Sequence, residues 1–222
     1  MKTEIINISK SFGKKQILKD VCIESESGEC VGILGTNGSG KSTLFSILTG
    51  ILKSDGGDFL CDGESLFKNT KKRSELVGFV PQSTPLIEEL TALDNLRLWY
   101  TKENMNYELE NGVLGILGID AFLKTKVSKM SGGMKKRLSI GCAVAHKPKI
   151  LLLDEPGAAL DIICRERICS YIRQFKKDGG TVLIATHDTT EFELCDKMYI
   201  IKDTKVSEYN YDGNIHHLVG RL

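Results

Sequence analysis

The chain has 222 residues, of which 41% are apolar and 27% are charged, with 22 glycines and 4 prolines. This composition is that of a globular protein and excludes a disordered or fibrous one, and the length allows one domain with a small inserted lobe. Thirty Lys and Arg residues against 29 Asp and Glu residues leave a net charge of +1. Such a chain has no overall positive field to attract nucleic acid, so we expect no nucleic-acid partner and only local anion binding.

Membrane-spanning and disulfide-rich classes are also disfavoured. A spanning helix needs about 20 mostly apolar residues, whereas the longest stretch without a polar side chain is residues 112–119. The first residues lack the apolar segment of a signal peptide, which predicts a cytoplasmic protein. The seven cysteines run from Cys22 to Cys195 without a C-x-x-C pair, which favours reduced, mostly buried thiols over disulfides or a zinc site.

The first thirty or so residues have the pattern of an antiparallel lobe. Residues 3–8 and 16–23 are strand-like and are joined through Ser11, Phe12 and Gly13. Three later apolar runs, at residues 31–34, 150–153 and 181–185, show no alternation. That pattern predicts strands of a parallel sheet that is covered on both faces.

Helical patterns separate these strands. Between the last two runs, Cys164, Ile168 and Phe175 recur at helical spacing until residues 178–180 stop the pattern. From about residue 86 to residue 129 the pattern becomes helical, with a capping box at Thr91 and Asp94 and a second helix predicted over residues 107–117. His216 and His217 suggest no site, and we expect a flexible tail there.

Together these patterns predict an α/β fold with a mainly parallel central sheet, an N-terminal antiparallel β lobe and an inserted helical subdomain. The whole of residues 1–222 would form a single domain. Residues 1–85 and 131–222 would make the core and the β lobe, and residues 86–130 the helical subdomain.

A glycine-rich loop follows the strand at residues 31–34 and precedes a helical segment. Its residues match G-x-x-x-x-G-K-[ST]: Gly35, Thr36, Asn37, Gly38, Ser39, Gly40, Lys41 and Ser42. The glycines let backbone N–H groups point at phosphate, and the following helix adds the positive end of its dipole. Lys41 would contact the β and γ phosphates, and the Ser42 hydroxyl would contact Mg²⁺. We name residues 35–42 the P-loop.

Two adjacent carboxylates, Asp154 and Glu155, end the apolar run at residues 150–153. A parallel strand delivers such residues to the edge of the sheet where ligands bind, so Asp154 is placed to hold Mg²⁺. Glu155 is more informative, because an ATPase that attacks with water can use a carboxylate to polarise that water.

A third element, Ser131-Gly132-Gly133, lies at the start of a helical segment. Ser131 is a good N-cap, and the two glycines leave the helix end open to an anion. Lys135, Lys136 and Arg137 follow in positions that are unfavourable for the helix dipole unless polyphosphate binds. The alternative for these three residues is a solvated basic turn.

In their order these motifs resemble the ATP-binding-cassette (ABC) ATPases, over about 190 residues. Residues 129–139 are similar to the family signature, Gln82 to its Q-loop glutamine, residues 157–161 to its D-loop and His187 to its switch histidine. Phe12 is similar to the aromatic residue that stacks on adenine. We call residues 131–133 the signature turn.

The resemblance implies a role for each matching residue. Catalysis would involve Glu155, His187, Gln82 and Lys41, and Mg²⁺ would be held by Ser42, Gln82 and Asp154. ATP would contact the following residues: Phe12, Gly35, Thr36, Asn37, Gly38, Ser39, Gly40, Lys41, Ser42, Thr43, Ser131, Gly132 and Gly133. The cofactors implied are ATP and Mg²⁺.

Four residues depart from the family pattern. Met130 and Met134 stand where Leu and Gln are common, Gly157 where Thr is usual and Thr36 where Pro is common. The signature turn itself is intact, so nucleotide binding is still expected. We expect the changes at Thr36 and Gly157 to affect mainly the dimer interface.

The resemblance also implies partners. ABC ATPases pair head to tail, with each ATP between the P-loop of one copy and the signature turn of the other, so we expect a homodimer or a dimer with a related subunit. A separate transmembrane permease would place the dimer on the inner face of the cell membrane, and the residues after the signature turn favour export over import. The alternatives are a soluble ABC ATPase, as in iron-sulfur cluster assembly, and a P-loop kinase or GTPase. The last would leave the signature turn and His187 unexplained.

Overall fold

A computed structural model describes all 222 residues. The elements, in chain order, are β1 (Thr3–Phe12), β2 (Lys15–Ser25), β3 (Cys30–Leu34), α1 (Lys41–Thr49), β4 (Gly56–Cys61), β5 (Glu64–Ser65), α2 (Thr70–Leu76), β6 (Val77–Val80), α3 (Ala92–Arg97), α4 (Lys102–Asn111), α5 (Val113–Ile116), α6 (Gly132–Ala143), β7 (Ile150–Asp154), α7 (Ile162–Lys177), β8 (Thr181–Ala185), α8 (Thr189–Phe192), β9 (Lys197–Lys202), β10 (Lys205–Glu208) and α9 (Ile215–Arg221). Short 3₁₀ turns lie at Asp120–Phe122 and Val127–Lys129.

The strands form two sheets. The first has four antiparallel strands in the order β2-β1-β4-β5, and the second has six strands in the order β10-β9-β3-β8-β7-β6. In the second sheet only the edge strand β10 pairs antiparallel; the other strands are parallel. The predicted α/β class, with a mainly parallel sheet and an antiparallel N-terminal lobe, is confirmed.

The central strands explain where the site forms. Every residue of β3, β7 and β8 is buried, as the unalternated apolar runs predicted for strands covered on both faces. β8 lies between β3 and β7 and is parallel to both. The segments that follow these three strands therefore leave the sheet at the same edge.

Two large apolar cores lie on opposite faces of the six-stranded sheet. One encloses α1 between the two sheets, where Phe45 packs with residues such as Ile8 from the β lobe and Leu152 from β7. The other packs the sheet against α3, α6 and α7, with Leu96, Leu138 and Ile172 among its members. The P-loop helix is thus held between two sheets. All seven cysteines are free thiols, and four of them are buried.

Residues 86–130 contain helices and turns but no strand. The predicted cap is present, because the Thr91 hydroxyl accepts from Asp94 N at 3.1 Å and donates to Asp94 Oδ2 at 2.6 Å. The prediction of a single helix over residues 107–117 is wrong. α4 begins earlier, at Lys102, and the extended backbone of Gly112 (φ −128°, ψ −155°) separates it from α5. No helix of the chain is both long enough and apolar enough to cross a membrane.

The expectation of a flexible tail is also wrong. Residues 215–221 form α9, which Asn214 caps by accepting from His216 N at 2.9 Å. Leu218 is 3% exposed and packs with Leu34 and Phe192. One apolar anchor and a cap therefore order this segment.

Candidate active site

The P-loop joins β3 to α1 and depends on glycine at two points. Gly35 and Gly40 have φ values of 157° and 115°. A Cβ at Gly35 would lie 2.8 Å from the Ile201 carbonyl oxygen, and one at Gly40 would lie 2.8 Å from Leu18 Cδ2. Larger residues are therefore excluded by both backbone conformation and space. The contact with Leu18 also shows that the β lobe packs directly on the loop.

Lys41 is the charged group of the loop. It is only 6% exposed, and its ammonium donates to the carbonyls of Gly35 at 2.7 Å and Thr36 at 3.2 Å. Burial lowers the pKa of Lys41, whereas the nearby carboxylates of Glu155 and Asp154 raise it. The loop thus holds a positive charge at the end of the sheet where those carboxylates lie.

The loop also presents polar groups that fit phosphate. The Ser39 hydroxyl is buried and has no hydrogen-bond partner in the protein, which is an unusual arrangement unless a ligand supplies one. Other loop residues are open to solvent, namely Thr36, Asn37, Gly38 and Ser42, while Thr43 is half-buried. An unpaired donor and exposed backbone at the start of a nine-residue helix match the requirements of an anion site.

Asp154 lies beside the start of α1. The residue is 3% exposed, and the Ser42 hydroxyl lies near its carboxylate. Burial raises the pKa of Asp154, while the Ser42 hydroxyl and the Lys41 charge lower it. These two oxygen donors fit Mg²⁺, which is usually held by one or two side chains together with phosphate oxygens. No group of three or more His, Cys, Asp or Glu residues that could hold a metal by itself occurs in the chain.

Glu155 lies at the centre of the site. Its φ of 47° is in the left-handed region, which costs a non-glycine residue about 1–3 kcal/mol and is common at functional sites. Its N–H donates to Ala185 O at 2.9 Å. Its two carboxylate oxygens meet two other segments: Oε2 accepts from Gln82 Nε2 at 2.8 Å, and Oε1 lies 3.5 Å from His187 Nδ1. Two residues from separate parts of the sequence, Gln82 and His187, therefore converge on one carboxylate.

Phe12 lies outside this cluster, at the end of β1. Its ring is 52% exposed, and Lys10 Nζ lies 5.6 Å from the ring centroid. An aromatic face on the lobe that packs against the P-loop is open for stacking.

The signature turn begins α6. Ser131 accepts from Met134 N at 3.2 Å, as a cap does. Gly132 is exposed, and an added Cβ there would meet nothing within 4 Å. No hydrogen bond or ion pair of the chain links residues 131–133 to the P-loop. The structure thus brings together the P-loop, Asp154, Glu155, Gln82 and His187, but not the signature turn.

The basic residues after the signature turn do not form a solvated turn. Lys135 Nζ pairs with Glu88 at 3.1 Å. The Arg137 guanidinium donates to Leu117 O at 2.7 Å and lies 4.9 Å from the centre of the Phe122 ring. These two side chains fasten α6 to the helical subdomain.

Lys136 points in a different direction, toward the site. It is 5% exposed, and its ammonium donates to the carbonyls of Pro81 and Gln82, each at 3.0 Å. Burial lowers the pKa of Lys136, and the charges of Asp154 and Glu155 raise it. The sequence indicates only a basic residue near an anion site and does not predict this contact.

A second residue that the sequence did not reveal is Glu191, in α8 after His187. It is 2% exposed. The pKa of Glu191 is raised to about 7: burial is the largest cause and the charge of Asp188 also raises it, whereas the nearby Thr186 hydroxyl, the charge of Arg165 and the Gly157 backbone lower it. A Cβ at Gly157 would overlap Glu191 Oε1. The glycine that departs from the family pattern thus provides the space for a buried carboxyl group.

Residues 18–158, more than half of the chain, match the family model described as ABC transporter. The chain belongs to the ABC transporter ATPase family.

The relatives of the ABC ATPase are named for several roles. It is 38% identical over 204 residues to the linearmycin resistance ATP-binding protein LnrL of Bacillus subtilis (strain 168), which covers 88% of this chain and 64% of that protein. It is 35% identical over 205 residues to the Nod factor export ATP-binding protein I of Sinorhizobium fredii, and the match covers 90% of this chain and 60% of that protein. It is also 35% identical over 208 residues to a probable sulfate/thiosulfate import ATP-binding protein, CysA, of Chlorella vulgaris. That match covers 91% of this chain and 88% of that protein. The chain spans less than two thirds of the length of the first two relatives.

A solved structure shows a similar fold. The ABC ATPase superposes on a dimeric, post-hydrolysis state of the ATP-binding cassette MJ0796 bound to ADP and phosphate, with a TM-score of 0.82 and 31% identity. The match covers 94% of this chain and 98% of that one.

Proposed function

We propose that this ABC ATPase hydrolyses ATP in a head-to-tail dimer and thereby energises a separate membrane permease. The observation that carries the proposal is the convergence of Gln82 and His187 on the Glu155 carboxylate, beside the P-loop. Within the same chain, the second anion site at the signature turn remains unconnected to this cluster. A complete site would therefore combine two copies.

The P-loop would bind the phosphates. Its N–H groups, the Ser39 hydroxyl and the Lys41 ammonium all donate to anionic oxygen. Mg²⁺, when bound, would be held by Ser42 and Asp154, with the Gln82 side chain nearby, and would supply positive charge at the terminal phosphates. Phe12 would stack on the adenine ring.

Glu155 would activate the attacking water. One carboxylate oxygen is fixed by the Gln82 amide, so the other is oriented to accept a proton from water as the terminal phosphate is attacked. His187 Nδ1 lies 3.5 Å from that second oxygen, and we propose that this residue contacts the γ phosphate. Positioning of these groups, rather than a covalent intermediate, would account for the catalysis.

The second copy would complete the site through Ser131, Gly132 and Gly133. Ser131 and Gly132 are exposed at the N-terminus of the twelve-residue helix α6, whereas Gly133 is buried. The exposed pair would allow close approach by a phosphate of the partner's nucleotide. The partner would be a second copy of this chain or a related ABC subunit. In each copy, residues 1–222 form one domain, with residues 86–130 as its helical subdomain.

The permease would be a separate transmembrane protein, which would hold the dimer on the inner face of the cell membrane. We propose export as the direction. The similar proteins support a transport role, since they are named for resistance, for export and for import.

Purification of the tagged chain from its native cells with a mild detergent tests whether a permease is bound to it. We expect a stoichiometric integral membrane protein to be recovered with the chain, and to be lost when the membranes are removed before detergent is added. Recovery only in complexes without a membrane protein would contradict the transport role. It would favour a soluble ABC ATPase such as those of iron-sulfur cluster assembly.

A further inference from the structure

Lys136 connects two parts of the molecule that the proposed function uses, the signature turn and the loop that contains Gln82. It lies in the second turn of α6, five residues after Ser131. Its side chain is nearly fully buried, yet it forms no ion pair with any residue within 4 Å. Both of its hydrogen bonds go to backbone carbonyls, those of Pro81 and Gln82.

The contact reaches the loop that positions the catalytic carboxylate. Gln82 lies two residues after β6 and is exposed to solvent. Its side-chain amide donates a hydrogen bond to Glu155 at 2.8 Å. The hydrogen bonds from Lys136, at 3.0 Å each, therefore hold the backbone of this loop from the α6 side. A buried ammonium that donates to two carbonyls is a strong restraint, because loss of the donor leaves both acceptors unpaired.

The other end of α6 is the signature turn. A helix is rigid over two turns, and Ser131 and Lys136 are separated by only about 7 Å along its axis. A shift of the signature turn therefore moves the Lys136 backbone with it. The neighbouring Lys135 and Arg137 contact the helical subdomain instead. Of these three basic residues, only Lys136 contacts the loop that contains Gln82.

We propose that Lys136 is a positioning residue that couples the signature turn to Gln82 of the same copy, so that nucleotide contact at one site of the dimer sets the geometry of Glu155 at the other. The inference rests on the proposed head-to-tail dimer. Lys136 itself contacts neither nucleotide; it acts through the backbone of Gln82.

Lys136→Met, which keeps the length of the side chain and removes the donors, tests this coupling in the full chain. We expect kcat for ATP hydrolysis to fall about fivefold or more, a typical size for coupling between two sites, while KM for ATP stays within about twofold. Lys136→Arg, which restores the donors, should recover most of the rate. The matched control is Lys135→Met, the adjacent lysine, whose contact is with Glu88.

A double-mutant cycle with Gln82→Ala separates coupling from general damage to the fold. If Lys136 acts through Gln82, Lys136→Met should change kcat by less than about twofold in the Gln82→Ala background. An equal loss in both backgrounds, or a loss no larger than that of Lys135→Met, would overturn the inference. If Lys136→Met does not fold, the same cycle with Lys136→Gln, which keeps a shorter donor, decides the question.

The dimer is tested separately, with Glu155→Gln and MgATP. If that variant stays monomeric, the proposed dimer fails whatever Lys136→Met does. If it dimerises and Lys136→Met behaves like Lys135→Met, only the coupling role of Lys136 fails.

Discussion

Gln82 Nε2 donates to Glu155 Oε2 at 2.8 Å, although the two residues are 73 positions apart in the sequence. They meet because β6 and β7 are parallel neighbours, and the loops that follow them leave the sheet at the same edge. The hydrogen bond orients the carboxylate whose other oxygen lies 3.5 Å from His187. The position of the Gln82 loop therefore affects the geometry of Glu155.

Gln82→Ala should slow turnover more than it weakens binding. Without the amide the Glu155 carboxylate loses its fixed orientation, and we expect kcat to fall by about 10²-fold, the lower end of what a positioned acid–base group contributes. KM for ATP should change less than about threefold. Steady-state ATPase assays check this, with Ser83→Ala, an exposed neighbour in the same loop, as the control. A rise in KM at unchanged kcat would assign Gln82 to binding alone.

Lys41→Ala should remove most of the affinity for nucleotide. The Lys41 ammonium is the charged donor of the P-loop, and its loss should raise the Kd for MgATP by about tenfold or more, as expected for a charged hydrogen bond. Isothermal titration calorimetry measures the change. Lys53→Ala, at an exposed lysine after α1, should leave the Kd unaltered. Equal affinity of the Lys41→Ala and Lys53→Ala variants would refute the assignment of the phosphate site.

Glu191 should make stability depend on pH. Burial raises its pKa from the ordinary 4.5 to about 7, so the folded protein binds more protons than the unfolded chain between these values. The stability that Glu191 contributes is present below about pH 4.5 and is lost as pH rises through about 7, a change of about 2–3 kcal/mol between pH 5 and 8.

Chemical denaturation of wild type and Glu191→Gln at these two pH values isolates this effect. The variant should gain about 2–3 kcal/mol relative to wild type on going from pH 5 to pH 8, because its amide does not ionise. A difference between the two proteins that does not change with pH would show that Glu191 ionises normally.

Gly157→Ala should destabilise the fold through Glu191. An added Cβ would overlap Glu191 Oε1 and lie 3.7 Å from Arg165 Cγ, and such overpacking costs about 1–3 kcal/mol. The free energy of unfolding in urea measures it, with Gly56→Ala, where a Cβ meets nothing within 4 Å, as the matched control. The loss should disappear when Glu191→Ala is also present. If it persists, the backbone of the loop, and not Glu191, requires glycine.

The sequence predicts the sheet well because its signals are local. The unalternated runs in β3, β7 and β8 reflect burial on both faces, and the P-loop depends on glycines that are adjacent in the chain. Gly112 shows the limit of such patterns. It continues the apolar spacing of a helix, but its extended backbone ends α4.

Contacts between distant segments were not predictable from local patterns. Lys136 looked like one of three basic residues on a helix end, and only the packing of α6 against the Gln82 loop buries it. Glu191 is likewise an unremarkable acid in the sequence, and it becomes buried because Gly157, 34 positions earlier, leaves space for its carboxyl group. Burial of a charge depends on which segments the fold brings together.

In the proposed dimer each chain supplies half of each ATP site. Size-exclusion chromatography with light scattering of Glu155→Gln, with and without saturating MgATP, measures whether the two halves assemble. We expect a monomer without nucleotide and a stable dimer with MgATP, because the uncleaved nucleotide remains between the P-loop and the signature turn of the partner. Gly132→Asp added to Glu155→Gln should keep the protein monomeric. The new carboxylate fits sterically within its own chain and is favourable at a helix start, but it would repel the partner's phosphate. A Glu155→Gln variant that stays monomeric with saturating MgATP would show that the ATP site is not shared between two copies.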